Sequence, residues 1–80
     1  MEVLKTLAKD LARHLSIDEP EILLEERHHF EYLNFVYNNK EIKIRFSKVF
    51  TIWVNGIWDN QTYRLQDFNG ILECIRRRAK

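Results

Sequence analysis

One cysteine in eighty residues leaves Cys74 nothing to pair with, so no internal disulfide can form and a reducing compartment is the natural home. No apolar run approaches the ~20 residues that cross a membrane. The opening stretch MEVLKTLAKD mixes charges and is amphipathic, unlike a signal peptide, so a cytoplasmic location is expected. Only two glycines occur, Gly56 and Gly70, too few for a glycine-rich phosphate loop. Serines and threonines are sparse and fall in turns or at caps. Eighty residues also leave no room for a second core, so residues 1–80 are expected to be a single domain. Such a chain buries roughly 60% of its unfolded surface and is only marginally stable.

A hydrophobic share of 45% is ordinary for a folded protein and argues against disorder. Net charge is +1, but the signs are unevenly spread. Residues 1–26 carry three basic and seven acidic side chains, and residues 27–80 carry ten basic and five acidic. That asymmetry points to a polar partner or a self-complementary contact, without requiring nucleic acid.

The stretch from Phe30 to Trp58 organises the rest. Asn38-Asn39 separates two strand-like runs, and asparagine tolerates the positive φ of a two-residue hairpin turn. The turn sets Tyr37 against Lys40, Phe35 against Ile42 and Leu33 against Ile44. The second run then alternates Ile42, Ile44 and Phe46 with Glu41, Lys43 and Arg45, a period-2 pattern that fixes the register. A short link, Ser47 to Val49, sets Phe50, Ile52 and Val54 against Phe46, Ile44 and Ile42. Asn55-Gly56 is the strongest hairpin signal in the chain and brings Trp53 across from Trp58.

Helical spacing brackets this meander. Leu4, Leu7, Ala8, Leu11 and Leu15 predict an amphipathic helix over residues 2–15. Asp67 suits the N-cap of a last helix whose stripe is Phe68, Ile71, Leu72 and Ile75, with Gly70 slightly weakening its first turn. Asp18, Pro20 and Glu21 predict the start of a short second helix anchored by Ile22, Leu23 and Leu24, with an extended segment as the alternative. Asp59-Asn60-Gln61 reads as a turn or loop, followed by an extended Thr62 to Leu65. The expected fold is therefore α+β: an antiparallel β-meander of three to four strands with an N-terminal and a C-terminal helix packed on one face. The order helix, three strands, helix resembles the double-stranded RNA-binding domain. The likeness stops at element order, because Asp67-Phe68-Asn69-Gly70 stands where that fold places its basic cluster.

Catalytic and metal chemistry find little support. His28 and His29 are adjacent, and neighbours in a strand point to opposite faces. No cluster of cysteines or carboxylates at ligand spacing joins them, so no metal or cofactor is expected. Cys74 lies beside the apolar stripe of the last helix and reads as a packing residue, with neither base nor orienting group nominated. The basic tail Arg76, Arg77, Arg78 and Lys80 suits the negative end of a helix dipole.

The outer sheet face is the informative feature. It carries Phe30, Tyr32, Asn34, Val36, Glu41, Lys43, Arg45, Thr51, Trp53 and Trp58, more aromatics than a merely solvated face shows. The plainer reading is that Trp53 and Trp58 cover one another beneath the first helix or the 16–26 segment. The functional reading is a platform of Tyr32, Lys43, Arg45, Trp53 and Trp58, residue types that dominate interface energetics. The expectation is a small non-catalytic module that binds a partner protein, as adaptor or inhibitor, or binds itself. The alternative is a nucleic-acid-binding protein using Lys43, Arg45, Arg76, Arg77, Arg78 and Lys80.

Overall fold

A computed structural model describes residues 2–80 of the chain. Its elements run α1 (Glu2–Leu15), β1 (Glu21–Glu25), β2 (Phe30–Tyr37), β3 (Lys40–Ser47), β4 (Val49–Val54), β5 (Ile57–Tyr63) and α2 (Phe68–Arg78). The five strands form one antiparallel sheet in sequence order, so the fold is α+β with a β-meander. No helix among the described residues is long and apolar enough to cross a membrane.

The turns account for the register. Asn38 and Asn39 take φ of 52° and 65°, and Asn55 and Gly56 take 51° and 78°, the paired positive values of hairpins matched to strand twist. Tyr37 meets Lys40, Phe35 meets Ile42, Leu33 meets Ile44 and Trp53 meets Trp58. The link between β3 and β4 closes without glycine because Lys48 itself adopts φ 67°.

Leu4, Leu7, Ala8, Leu11 and Leu15 of α1 are buried, as are Ile71, Leu72, Cys74 and Ile75 of α2. They form one core cluster with Leu33, Ile42, Ile44, Phe50, Ile52, Val54 and Tyr63 of the sheet. Both helices therefore lie on the same side of the sheet. Gly70 does more than weaken a turn: the Asp67 carboxylate accepts from its N–H at 3.1 Å, and a Cβ there would sit 2.5 Å from that carboxylate.

Two segments differ from expectation. Residues 18–24 do not start a second helix; the extended alternative holds, and Glu21–Glu25 form β1. A helix there would span about two turns, too short to hold by itself. As a strand it pairs with β2, setting Ile22 against Leu33 and keeping Glu21, Leu23 and Glu25 on the outer face. Asp59-Asn60-Gln61 is likewise not a loop but the middle of β5. Trp53 pairs with Trp58 and Thr51 with Thr62, so three residues of β5 face the single Ile52 of β4. That bulge, with Asn60 at φ 60°, absorbs the turn-like residues without ending the strand. Five strands thus replace the three to four of the sequence pattern.

Candidate functional site

Each outer-face side chain is placed by strand parity. Asn34, Lys43, Trp53 and Trp58 lie in one cross-strand row, and Tyr32, Arg45, Thr51 and Thr62 in the next. Lys43 and Arg45 are two residues apart on one face, close enough to repel, and aromatic rings separate them. The Lys43 ammonium lies 4.7 Å from the centre of the Tyr32 ring and 5.4 Å from that of Trp53. The Arg45 guanidinium carbon lies 4.7 Å from Phe30 and 5.2 Å from Trp53. Trp53 is thereby shared between two cations, each also held by an aromatic of β2. Such contacts contribute about 0.5–1 kcal/mol where exposed and more when desolvated.

Neither helix covers this surface. α1 packs on the opposite side, and the segment after it joins the sheet edge as β1, with Ile17 turned to the core. Trp58 is 45% exposed and Val36 63%. Tyr32, Lys43, Arg45 and Trp53 are half-buried by one another. All five residues expected for a partner-binding platform are therefore brought together on one uncovered face.

Arg45 stands between two shallow concavities. One, of about 290 Å³, is lined by Glu25, His28, Phe30, Tyr32, Lys43 and Arg45. The other, of about 360 Å³, holds Thr51, Trp53, Trp58 and Thr62 beyond it. The Arg45 Nε is buried and has no acceptor among the described residues. Glu25 is occupied elsewhere, because it accepts from the His28 backbone N–H at 2.7 Å and faces the His28 ring Nδ1 at 3.0 Å. Desolvation alone would raise the Glu25 carboxyl, but the hydrogen bonds and charge of His28 together hold it below its ordinary value. His28 and His29 lie in the turn between β1 and β2 rather than in a strand, with His29 at φ 58°.

The basic tail is elsewhere. Arg76 donates to the His14 carbonyl at 3.0 Å, and Arg77 to Asp59 Oδ2 at 3.3 Å. Arg78 donates to the Ile57 carbonyl at 2.6 Å, and its Nε is 3.5 Å from Asp59 Oδ1. The Ala79 and Lys80 carbonyls accept from Asn38 Nδ2 and Lys40 Nζ at 2.9 and 3.0 Å. The structure thus does not bring Arg76, Arg77, Arg78 and Lys80 together with Lys43 and Arg45. One set belongs to the helix layer and the other to the open sheet face.

Sequence reading missed what holds that tail. Asp59 Oδ2 also accepts from the Tyr63 hydroxyl at 3.1 Å and from Cys74 Sγ at 3.4 Å. Burial, followed by the hydrogen bonds and charges of Cys74 and Asp59, raises the Tyr63 hydroxyl far above its ordinary value. Burial likewise pushes the Cys74 thiol up, away from the thiolate a nucleophile needs. A parity argument could have found this seam, since Asp59 and Tyr63 are an even number apart and opposite in parity to Trp58.

A further cleft, of about 310 Å³, opens on the helix layer between Val3, Leu7, Phe50, Leu65, Phe68 and Ile71. It is an apolar gap between the two helices, and of the carboxylates at its rim Asp10 is already paired with Arg13 at 2.6 Å. No protein-family model, curated protein sequence or solved structure matches this chain.

Proposed function

We propose that this protein is a non-catalytic interaction module whose uncovered sheet face binds a partner protein. One observation carries the reading. Tyr32, Lys43, Arg45 and Trp53 are fixed by mutual cation–aromatic contacts on a face that neither helix covers, with Trp58 45% exposed beside them. Tryptophan, tyrosine and arginine supply most hot spots, and side chains already held in place lose little entropy on binding. The only thiol is buried, and burial pushes it up, away from the thiolate that a nucleophile needs. Arg76, Arg77 and Arg78 already donate to backbone carbonyls and to Asp59 on the helix side of the sheet, so they do not extend the Lys43–Arg45 pair into one basic track for a nucleic-acid ligand.

Affinity capture from the source cells, with nuclease present, tests the proposal when run beside Trp53→Ala/Trp58→Ala. The wild-type chain should retain a protein that the double variant loses while keeping its circular dichroism spectrum. Equal capture by both, or capture that disappears with nuclease, would overturn it.

A further inference from the structure

We infer that the occupant of this face is a protein segment presenting one carboxylate, flanked by lysine or arginine, with the carboxylate seated on Arg45 and Lys43. This rests on the partner-binding reading above and specifies the chemistry of that partner.

The first observation is an unbalanced charge pair. Lys43 and Arg45 sit at the centre of the face, and among the described residues no carboxylate forms an ion pair with either. Their surroundings are aromatic rings, which attract a cation but carry no net charge. The Arg45 ε N–H is buried without an acceptor among the described residues, so the guanidinium is already partly stripped of water. A half-desolvated pair of like charges is a site where an anion is bound strongly.

The second observation concerns the rim. Glu21 and Glu25 of β1 and Glu41 of β3 share the outer face with the cations and stand around them. Glu21 lies opposite Asn34, and Glu41 lies one step along the strand face from Lys43. The charge pattern is positive in the centre and negative at the edge. Its complement is a single anion with cations on either side. Lys43 and Arg45 line the concavity of about 290 Å³ together with Glu25, whose carboxylate is already held by His28, and its volume has room for one acidic side chain.

That pattern also selects between classes of occupant. A nucleic-acid strand carries a phosphate at every nucleotide, so neighbours of a phosphate bound at Arg45 would run onto the glutamates. A second copy related by a twofold axis through the centre would set cations against cations. An acidic protein segment with basic flanks meets neither penalty.

A random linear peptide library displayed against the wild-type chain tests this directly. Enriched peptides should converge on one Asp or Glu with Lys or Arg beside it. Replacing that peptide acid by its amide, or Arg45 by glutamine, should each weaken binding at least about tenfold. Combining the two should cost no more than either alone, the signature of a direct pair. Arg45→Glu should redirect the selection towards a central lysine or arginine. Should Arg45→Gln fail to fold, Lys43→Gln reads the same coupling. Enriched peptides that need Trp53 and Trp58 but share no acid would overturn the carboxylate anchor and leave the interaction face standing. Absence of any peptide retained through this face would overturn both. Tight, steeply salt-dependent binding of oligo-dT would assign the face to nucleic acid instead. A wild-type dimer dispersed by Arg45→Glu would assign it to a second copy.

Discussion

Arg45 and Arg78 each bury a nitrogen that has no hydrogen-bond partner among the described residues, yet their surroundings differ in kind. Arg78 has a counter-charge and an acceptor: Asp59 at 3.5 Å and the Ile57 carbonyl at 2.6 Å. Its side chain and that of Asp59 are only 16% and 15% exposed. Arg45 has rings at 4.7 and 5.2 Å and, among the described residues, no carboxylate in an ion pair with it. The seam between β5 and α2 is therefore electrically closed, and the outer face is open. A cation neutralised within the fold contributes to stability. A cation held in place but left unpaired is available to something else. Substitutions at the seam and in the core beneath it should be read as stability, and those on the outer face as binding.

The largest effect should come from the core side. Ile44 is fully buried at the centre of β3, one residue from both cations but on the opposite face. Ile44→Ala should cost about 2–5 kcal/mol, a large share of the stability of a chain this short. A urea titration in which the variant keeps its wild-type midpoint would sink that expectation. Asp59→Asn should cost less, about 2–3 kcal/mol, because Arg77, Arg78, Tyr63 and Cys74 all donate to or pair with that carboxylate and an amide offers them one acceptor oxygen. A melting temperature unchanged in this variant would mean the seam is not closed by charge.

Alkali should open the same seam more gently. The Tyr63 hydroxyl and Cys74 thiol are both raised, chiefly by burial, so the folded state favours their protonated forms. Their stabilising contribution is full below the ordinary values, 9.0 for the thiol and 10.0 for the phenol, and is lost as pH climbs through and beyond them. The melting temperature should fall progressively above about pH 9. A profile that stays flat well past the ordinary phenol value would show that neither group is linked to folding.

Much of the open face was legible in the sequence, and little of the closed seam was. Period-2 alternation through Ile42, Ile44 and Phe46, bounded by Asn38-Asn39 and Asn55-Gly56, allows one register, and that register fixes which side chains share a face. Tyr32, Lys43, Arg45, Trp53 and Trp58 fell together for that reason. β1 was harder, because Ile22-Leu23-Leu24 is a contiguous apolar run in which neither period stands out. β5 was obscured by its own bulge, since Asp59-Asn60-Gln61 has turn chemistry in the middle of a strand. The tail looked free because its partner, Asp59, is some eighteen residues away in sequence and reaches it only through the packing of α2. Local patterns reveal neighbours on one sheet face. They do not reveal which charges tertiary packing will pair.

On the open face the stability effects should be smaller. Trp53→Ala removes a half-buried ring from between two cations, so it should cost about 1–2 kcal/mol of stability. Partner binding should fall by about 2 kcal/mol or more, the range of an aromatic hot spot. A stability loss of the size that follows removal of a fully buried tryptophan, about 3–5 kcal/mol, would place Trp53 in the core instead.

The smallest stability effect should belong to Arg45→Gln, where two terms oppose one another. The substitution removes two cation–aromatic contacts, each contributing about 0.5–1 kcal/mol. It also removes a buried N–H without an acceptor, a group that costs about 1–3 kcal/mol while it is present. Repulsion between Arg45 and Lys43 disappears as well. The net loss should not exceed about 1 kcal/mol, so the denaturation midpoint of the variant should not fall far below that of the wild type. Asp59→Asn removes one charge from the seam and should be clearly destabilising; Arg45→Gln removes one charge from the open face and should not be. If Arg45→Gln destabilises the chain as much as Asp59→Asn does, the guanidinium is part of the fold's own support, and the difference between the two faces is lost.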